Sequence, residues 1–219
     1  MPSGEFKSQD VEKSNQVIRM VSLTALVLLG ATFVGLGIAN YIAGRSPAIT
    51  SKQYAAAPPW TIDMHKQYFA TVKMEKGGQF VIQLYPDKAP LAVNNFVFLA
   101  RDGYFTGVTF HRVLDGFMAQ GGDPTGNGFG GPGYQFPNED SDLKFDKAGV
   151  VAMANAGRDT NGSQFFITFA PVEQLNGGFT IFGQVVEGME VVNGLTRRNP
   201  DDNPPYPGDA IESVTITEQ

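Results

Sequence analysis

The sequence predicts a mainly β domain, a closed antiparallel barrel with helices over its ends, preceded by a single transmembrane helix. Three observations carry this expectation. Short stretches of alternating or continuous apolar residues recur from residue 68 to residue 217, bounded by glycine- and proline-rich turns. Only two stretches have helical spacing, and no β-α-β alternation separates the strands. Residues 20–43 contain no charged residue. Closure follows from the strands being many and short, because a barrel leaves no exposed edges.

The elements follow in chain order. Residues 1–19 form a polar tail. Met20–Ala43, bracketed by Arg19 and Arg45, would reach about 36 Å as a helix at 1.5 Å per residue, enough to cross a hydrocarbon layer of about 30 Å. Its apolar run exceeds that of an ordinary signal peptide, and the small-residue run Ala55–Ala57 lies far downstream, so an uncleaved anchor is expected. Lys7, Lys13 and Arg19 on one flank against Arg45 and Lys52 on the other favour an extracytoplasmic domain. Residues 44–66, with Pro47, Pro58 and Pro59, read as a linker, in which the single Trp60 either packs on the domain or meets a membrane interface.

Residues 67–219 make up the domain. Tyr68–Met74 and Gln79–Tyr85 read as a hairpin around Glu75-Lys76-Gly77-Gly78. Pro90–Arg101 reads as an amphipathic helix with proline at its start. Further strands are expected at Val108–Val113, Phe117–Gln120, Val150–Ala154, Gln164–Phe169, Thr180–Val186 and Ile211–Thr217, with a second helix near Glu187–Leu195.

Composition narrows the chemistry. The chain has 219 residues, 42% hydrophobic and 17% charged, which suits a globular domain with a sizeable core. With 16 Lys and Arg against 22 Asp and Glu the net charge is −6, the wrong sign for a nucleic-acid partner. There is no cysteine, which removes disulfides, thiolate metal sites and a cysteine nucleophile, and there are only 2 histidines, too few for an imidazole-rich metal centre. No cofactor or metal is expected. Gly126-Asn127-Gly128-Phe129-Gly130-Gly131 matches a phosphate-loop pattern but lacks the strand before and the helix after it, so it reads as a loop. Asn161-Gly162-Ser163 reads as a turn before it reads as a glycosylation site, and Asp201-Asp202 sits among prolines as solvated loop. Ser163 has no base near it in sequence.

What remains is one cation, several amides and many apolar groups. On a continuous strand, two-residue alternation puts Phe110 and Arg112 on one face and His111 and Val113 on the other. Gly116-Phe117-Met118-Ala119-Gln120 supplies two large apolar side chains and an amide. Gln164-Phe165-Phe166-Ile167 joins Gln164 to Phe166 and leaves Phe165 and Ile167 to the core. If these strands are neighbours, Arg112 lies over a wall of Phe and Met with amides at its rim.

Four blocks, Phe110-His111-Arg112-Val113, Gly116–Asp123, Met153-Ala154-Asn155-Ala156-Gly157 and Thr160–Ile167, resemble in order and spacing the signature blocks of the cyclophilin family of peptidyl-prolyl cis-trans isomerases. The resemblance implies an eight-stranded antiparallel barrel capped by two helices, with its site on the outer face. It implies that Arg112 is catalytic, that Phe117, Met118, Phe166 and Leu175 form a proline pocket with Phe179 keeping an aromatic wall, and that Gln120, Ala154, Asn155 and Gln164 hold the peptide. Partners would be proline-containing segments of client proteins. Two positions depart from the family pattern. Phe179 stands where histidine or tyrosine is frequent, and Gln174 stands where many members have the tryptophan associated with cyclosporin binding, so cyclosporin binding is doubtful. Three functions fit: a membrane-tethered isomerase and folding helper, a non-catalytic module that binds proline-containing peptides, or a scaffold subunit of a membrane complex. Retention of Arg112 favours the first.

Overall fold

The computed structural model describes residues 52–219, and the expected anchor Met20–Ala43 lies outside them. Among the described residues no helix is long and apolar enough to cross a membrane. The hairpin forms as expected. Strand β1 (Tyr68–Met74) buries Tyr68, Ala70, Val72 and Met74, and β2 (Gln79–Leu84) buries Phe80, Ile82 and Leu84, with the two antiparallel. Alternation therefore reads one face of each strand into the barrel interior.

Helix α1 (Pro90–Arg101) covers one end of the barrel, with Pro90 pre-set for the first turn and Ala92, Val93, Phe96, Val97, Leu99 and Ala100 buried. Its unpaired N-terminal N–H groups are met from a distant loop: Leu91 and Ala92 donate to the two carboxylate oxygens of Glu139 at 2.8 and 2.9 Å. The Phe96 ring stacks on Phe105 (centroids 5.0 Å apart) and meets Phe165 edge-on at 5.5 Å, joining helix to barrel.

The remaining strands are β3 (Thr109–Phe110), β4 (Arg112–Leu114), β5 (Met118–Gly121), β6 (Val150–Met153), β7 (Phe165–Thr168), β8 (Ile181–Glu187) and β9 (Asp209–Glu218), with a short helix α2 (Met189–Asn193) after β8. They form one antiparallel sheet in the order β3-β9-β1-β2-β8-β6-β7-β5-β4. The expected count of eight strands is corrected to nine. The stretch expected as one strand over Val108–Val113 breaks at His111: Phe110 pairs with β9, and Arg112 pairs with β5. The two ends of the sheet order are thus the two halves of one stretch, and the barrel is nearly closed through a covalent corner.

The corner also corrects the expected facing. Phe110 and Val113 both enter the main core, three positions apart, whereas Arg112 does not. A continuous strand would have sent residues 110 and 113 to opposite faces. Past β5 the chain turns sharply at Gly122 (φ 85°), where a β-carbon would lie 2.2 Å from the Ser163 carbonyl oxygen. The Ser163 hydroxyl donates to the Gly122 carbonyl at 2.7 Å and also bonds the Tyr104 hydroxyl. Ser163 is a buried tie between two segments, in keeping with its lack of a base.

Residues 52–66 carry no helix or strand but are bonded to the domain. Thr61 donates its N–H to Asn94 Oδ1 at 2.7 Å, Asn94 Nδ2 donates to the Pro59 carbonyl, and Ile62 joins the main core. Trp60 stays 52% exposed.

Candidate functional site

The sheet alternation that fills the barrel also builds a second apolar layer outside it. On β7 Phe165 and Ile167 enter the main core while Phe166 faces outward, and on β6 Val151 and Met153 go inward while Val150 and Ala152 go outward. The outward set forms its own cluster of Met118, Phe145, Val150, Ala152, Phe166, Val172, Leu175 and Ile181, edged by the half-buried Leu114, Phe117, Leu143, Ala154 and Phe179.

Register places the polar residues along this layer. Arg112 on β4 is opposite Gln120 on β5, Gln120 is opposite Phe166 on β7, and Phe166 is opposite Ala152 on β6. These are neighbouring strands, so the cation, the amide and the aromatic ring stand in one row across the sheet. Two residues along, on the same face of β5, Met118 is opposite Thr168. Phe117 closes the β4–β5 turn, its N–H donating to the Leu114 carbonyl at 3.1 Å. Leu175 sits in a 3-10 turn (Glu173–Leu175), and Asn176 Oδ1 accepts the Phe145 N–H at 2.9 Å, which pins that turn to the layer. Phe166 is held between Phe145, stacked at 5.7 Å, and Phe179, edge-on at 5.3 Å. Gln174 is exposed on the same turn.

Arg112 is half-buried, and no ion pair among the described residues involves it. Burial lowers the pKa of its guanidinium, partly countered by Asp201, and an arginine remains charged regardless. Its donors are therefore not spent on a carboxylate.

The amides are bonded to one another. Gln120 Nε2 donates to Gln164 Oε1 at 2.9 Å, and Gln164 Nε2 donates in turn to the Gly128 and Gly130 carbonyls at 2.9 and 2.8 Å. Gln164 thus has both its donor nitrogen and its acceptor oxygen committed. Asn155 donates to the Gly178 carbonyl at 3.3 Å and accepts from the Gly157 N–H, while the Ala154 N–H donates to the Gln164 backbone carbonyl. Together these residues form a rim along one side of the apolar layer.

Sequence reasoning missed the part played by the glycine-rich loop that Gln164 grips. That loop is folded around Asp123, whose carboxylate accepts from the N–H groups of Thr125, Asn127 and Gly128 and from the Thr125 hydroxyl. Phe145 was missed too, because no periodic pattern surrounds it. Phe179 also borders a cleft of about 170 Å³ at the edge of the layer, lined by Asp140, Ser141, Leu143, Lys144, Gly177 and Ile181. Beside Arg112, His111 is buried with both ring nitrogens unpartnered among the described residues. Burial pushes its pKa down to about 4 against the opposing pull of Asp123, and Arg198 and Arg112 add to the fall. The described residues contain no cluster of metal-ligating side chains.

Residues 69–216 match the family model described as cyclophilin type peptidyl-prolyl cis-trans isomerase/CLD. Among curated relatives, peptidyl-prolyl cis-trans isomerase-like 1 of Mus musculus is 49% identical over 156 residues, covering 68% of this chain and 92% of its own. Peptidyl-prolyl cis-trans isomerase ppi1 of Schizosaccharomyces pombe is 48% identical over 145 residues, covering 64% and 94%. The crystal structure of a cyclophilin type peptidyl-prolyl cis-trans isomerase of Cryptosporidium parvum in the presence of the dipeptide Ala-Pro superposes with a TM-score of 0.63 at 35% identity, over 69% of this chain and 99% of that one.

Proposed function

From the premise that the chain belongs to the family of cyclophilin-type peptidyl-prolyl cis-trans isomerases, we propose that it accelerates rotation about X-Pro bonds in client proteins, with Arg112 as the catalytic residue, while Met20–Ala43 tethers it to a membrane as a folding helper. The observation that carries the isomerase reading is an arginine with no ion-pair partner among the described residues, set one strand from Gln120 along the apolar layer that the sheet builds outside the barrel.

An X-Pro bond isomerises over a barrier of about 18–20 kcal/mol because twisting destroys amide resonance, and no bond need be made or broken. A nucleophile is unnecessary. In the twisted state the prolyl nitrogen regains a lone pair, so a guanidinium N–H aimed at it stabilises the transition state more than the planar ground state. Arg112 supplies that donor. Met118, Phe166 and Leu175 receive the proline ring, with Phe117 and Phe179 as its walls. Gln120, Ala154 and Asn155 hold the flanking peptide, with Gln164 fixing Gln120 from behind, so that rotation proceeds about one bond. Lowering the barrier by about 7–8 kcal/mol would accelerate the reaction on the order of 10⁵- to 10⁶-fold.

The tether rests on the uncharged length of Met20–Ala43, and the extracytoplasmic placement on the basic excess of its N-terminal flank. The full chain in detergent micelles is expected to speed cis-to-trans conversion of an X-Pro peptide without metal, nucleotide or reductant. No turnover, with peptide binding intact, would instead support a binding module. In cells the protein is expected in the carbonate-washed membrane fraction with its domain digested by protease added outside. A soluble form beginning after residue 43 would overturn the tether, and a protected domain would reverse its orientation.

A further inference from the structure

We infer that Gln53 and Tyr54 form a strap across the glycine-rich loop 121–133 and that Tyr54 is a positioning residue for the isomerase site; the catalytic half of this inference rests on the reading above. Both residues precede the family-matched segment 69–216. Two adjacent strap residues take two adjacent loop carbonyls: Gln53 Nε2 donates to Gly131 at 2.8 Å and the Tyr54 N–H donates to Pro132 at 2.8 Å. The approach is closest at Gly133 (φ 96°), where a β-carbon would lie 2.7 Å from the Tyr54 carbonyl oxygen.

The other side of the strap grips a rigid element. The Tyr54 ring lies edge-on to Phe98 of α1 at 5.4 Å, with Tyr104 at 6.2 Å and Tyr134 at 6.3 Å. Its hydroxyl donates to Asp102 Oδ2 at 2.6 Å, and Lys52 Nζ reaches the same oxygen at 2.9 Å. Asp102 is the residue that ends α1, so the strap ties the loop to the helix C-terminus.

That tie matters because the loop holds the site. The carbonyls of Gly128 and Gly130 accept both hydrogen bonds of Gln164 Nε2, and Gln164 Oε1 fixes Gln120, the register partner of Arg112. Glycine-rich backbone has many conformations to lose, and the Phe129 side chain is 80% exposed, so it does not tie the loop to the core. Fixing the loop at Gly131 and Pro132 orders the adjacent carbonyls, so that Gln120 is pre-set before peptide arrives.

The experiment uses the full chain in detergent micelles, comparing wild type with Tyr54→Ala, Tyr54→Phe, Gln53→Ala, and Tyr54→Ala combined with Gln164→Ala. Two quantities are read: kcat and KM on an X-Pro peptide, and hydrogen–deuterium exchange of loop 126–134. Tyr54→Ala is expected to speed loop exchange and to lower kcat/KM by about 3- to 10-fold, mainly through KM, as expected of a residue acting through a chain of contacts. Tyr54→Phe keeps the ring and the backbone bond but loses the bond to Asp102, and is expected to fall between wild type and Tyr54→Ala in both readouts. Gln53→Ala removes one exposed donor and no packing, and is expected to speed exchange to a smaller degree. In the Gln164→Ala background Tyr54→Ala should cost little more, because both act on one path. Unchanged loop exchange in folded Tyr54→Ala, or full additivity with Gln164→Ala, overturns the inference. A wild type without turnover overturns the isomerase reading and the catalytic half alone, while the exchange comparison decides the strap by itself.

Discussion

Replacing Arg112 by alanine tests the catalytic assignment most directly. The side chain is half-buried and shares no ion pair among the described residues, so its removal leaves no buried carboxylate uncompensated and the domain should stay folded. For the same reason its whole donor strength is available to the twisted bond. Losing one pre-aimed donor of this kind costs about 3 kcal/mol of transition-state stabilisation, on the order of 10²-fold in kcat/KM. The loss should fall on kcat, because the apolar layer proposed to receive the proline ring is intact in the variant. Arg112→Lys keeps the charge but not the planar fork, and should recover only part of the rate. The assay follows cis-to-trans conversion of an X-Pro peptide by the full chain, with circular dichroism to verify the fold. An alanine variant turning over within about threefold of wild type would refute the role given to the guanidinium.

Three other outcomes follow from the same geometry. His111 is held neutral by burial, with a pKa near 4 against an ordinary 6.5, so as pH falls between these values the unfolded chain takes up a proton that the native one refuses. The His111 contribution to stability should therefore fall from about pH 6.5 to pH 4 and stay constant below, and His111→Leu should flatten the slope within that window in urea titrations. Gln174→Trp should tighten cyclosporin, measured calorimetrically, while leaving short-peptide turnover nearly unchanged, since residue 174 is exposed on the turn beside Leu175; equal affinities for the two proteins would show that the departure has no effect. Phe179→Ala removes an edge-on contact with Phe166, worth about 1 kcal/mol, and should raise KM several-fold with kcat little changed.

Much of the barrel was legible because its signals are local. The alternation of Tyr68, Ala70, Val72 and Met74 and the start of α1 at Pro90 need only neighbours in sequence to be read. The break at His111 was not legible, because it exists to let residues 110 and 112 pair with β9 and β5, strands far apart in the chain. On β7 the alternation did separate Phe166 from Phe165 and Ile167. The grip of Gln164 on Gly128 and Gly130 could not be read, since a hydrogen bond from a side chain to a loop carbonyl leaves no periodic trace. The same holds for Gln53 and Tyr54, which sit in coil and are ordered wholly by what they touch.

The corner at His111 has a bearing on how the chain is made. β9 lies between β1 and β3, so the strand made last must insert between two strands made much earlier. Lys73 and Glu212, 139 residues apart, meet across that junction. Such distant pairing makes folding slow, since the loop must close before any contact rewards it. At ordinary synthesis rates roughly 7–30 s separate the emergence of β1 from that of β9, and for that interval β1 and β3 present bare edges that invite pairing with other chains. The domain therefore completes its sheet only after β9 has left the ribosome, and until then its own edges are exposed to the same mispairing that a folding helper prevents in others.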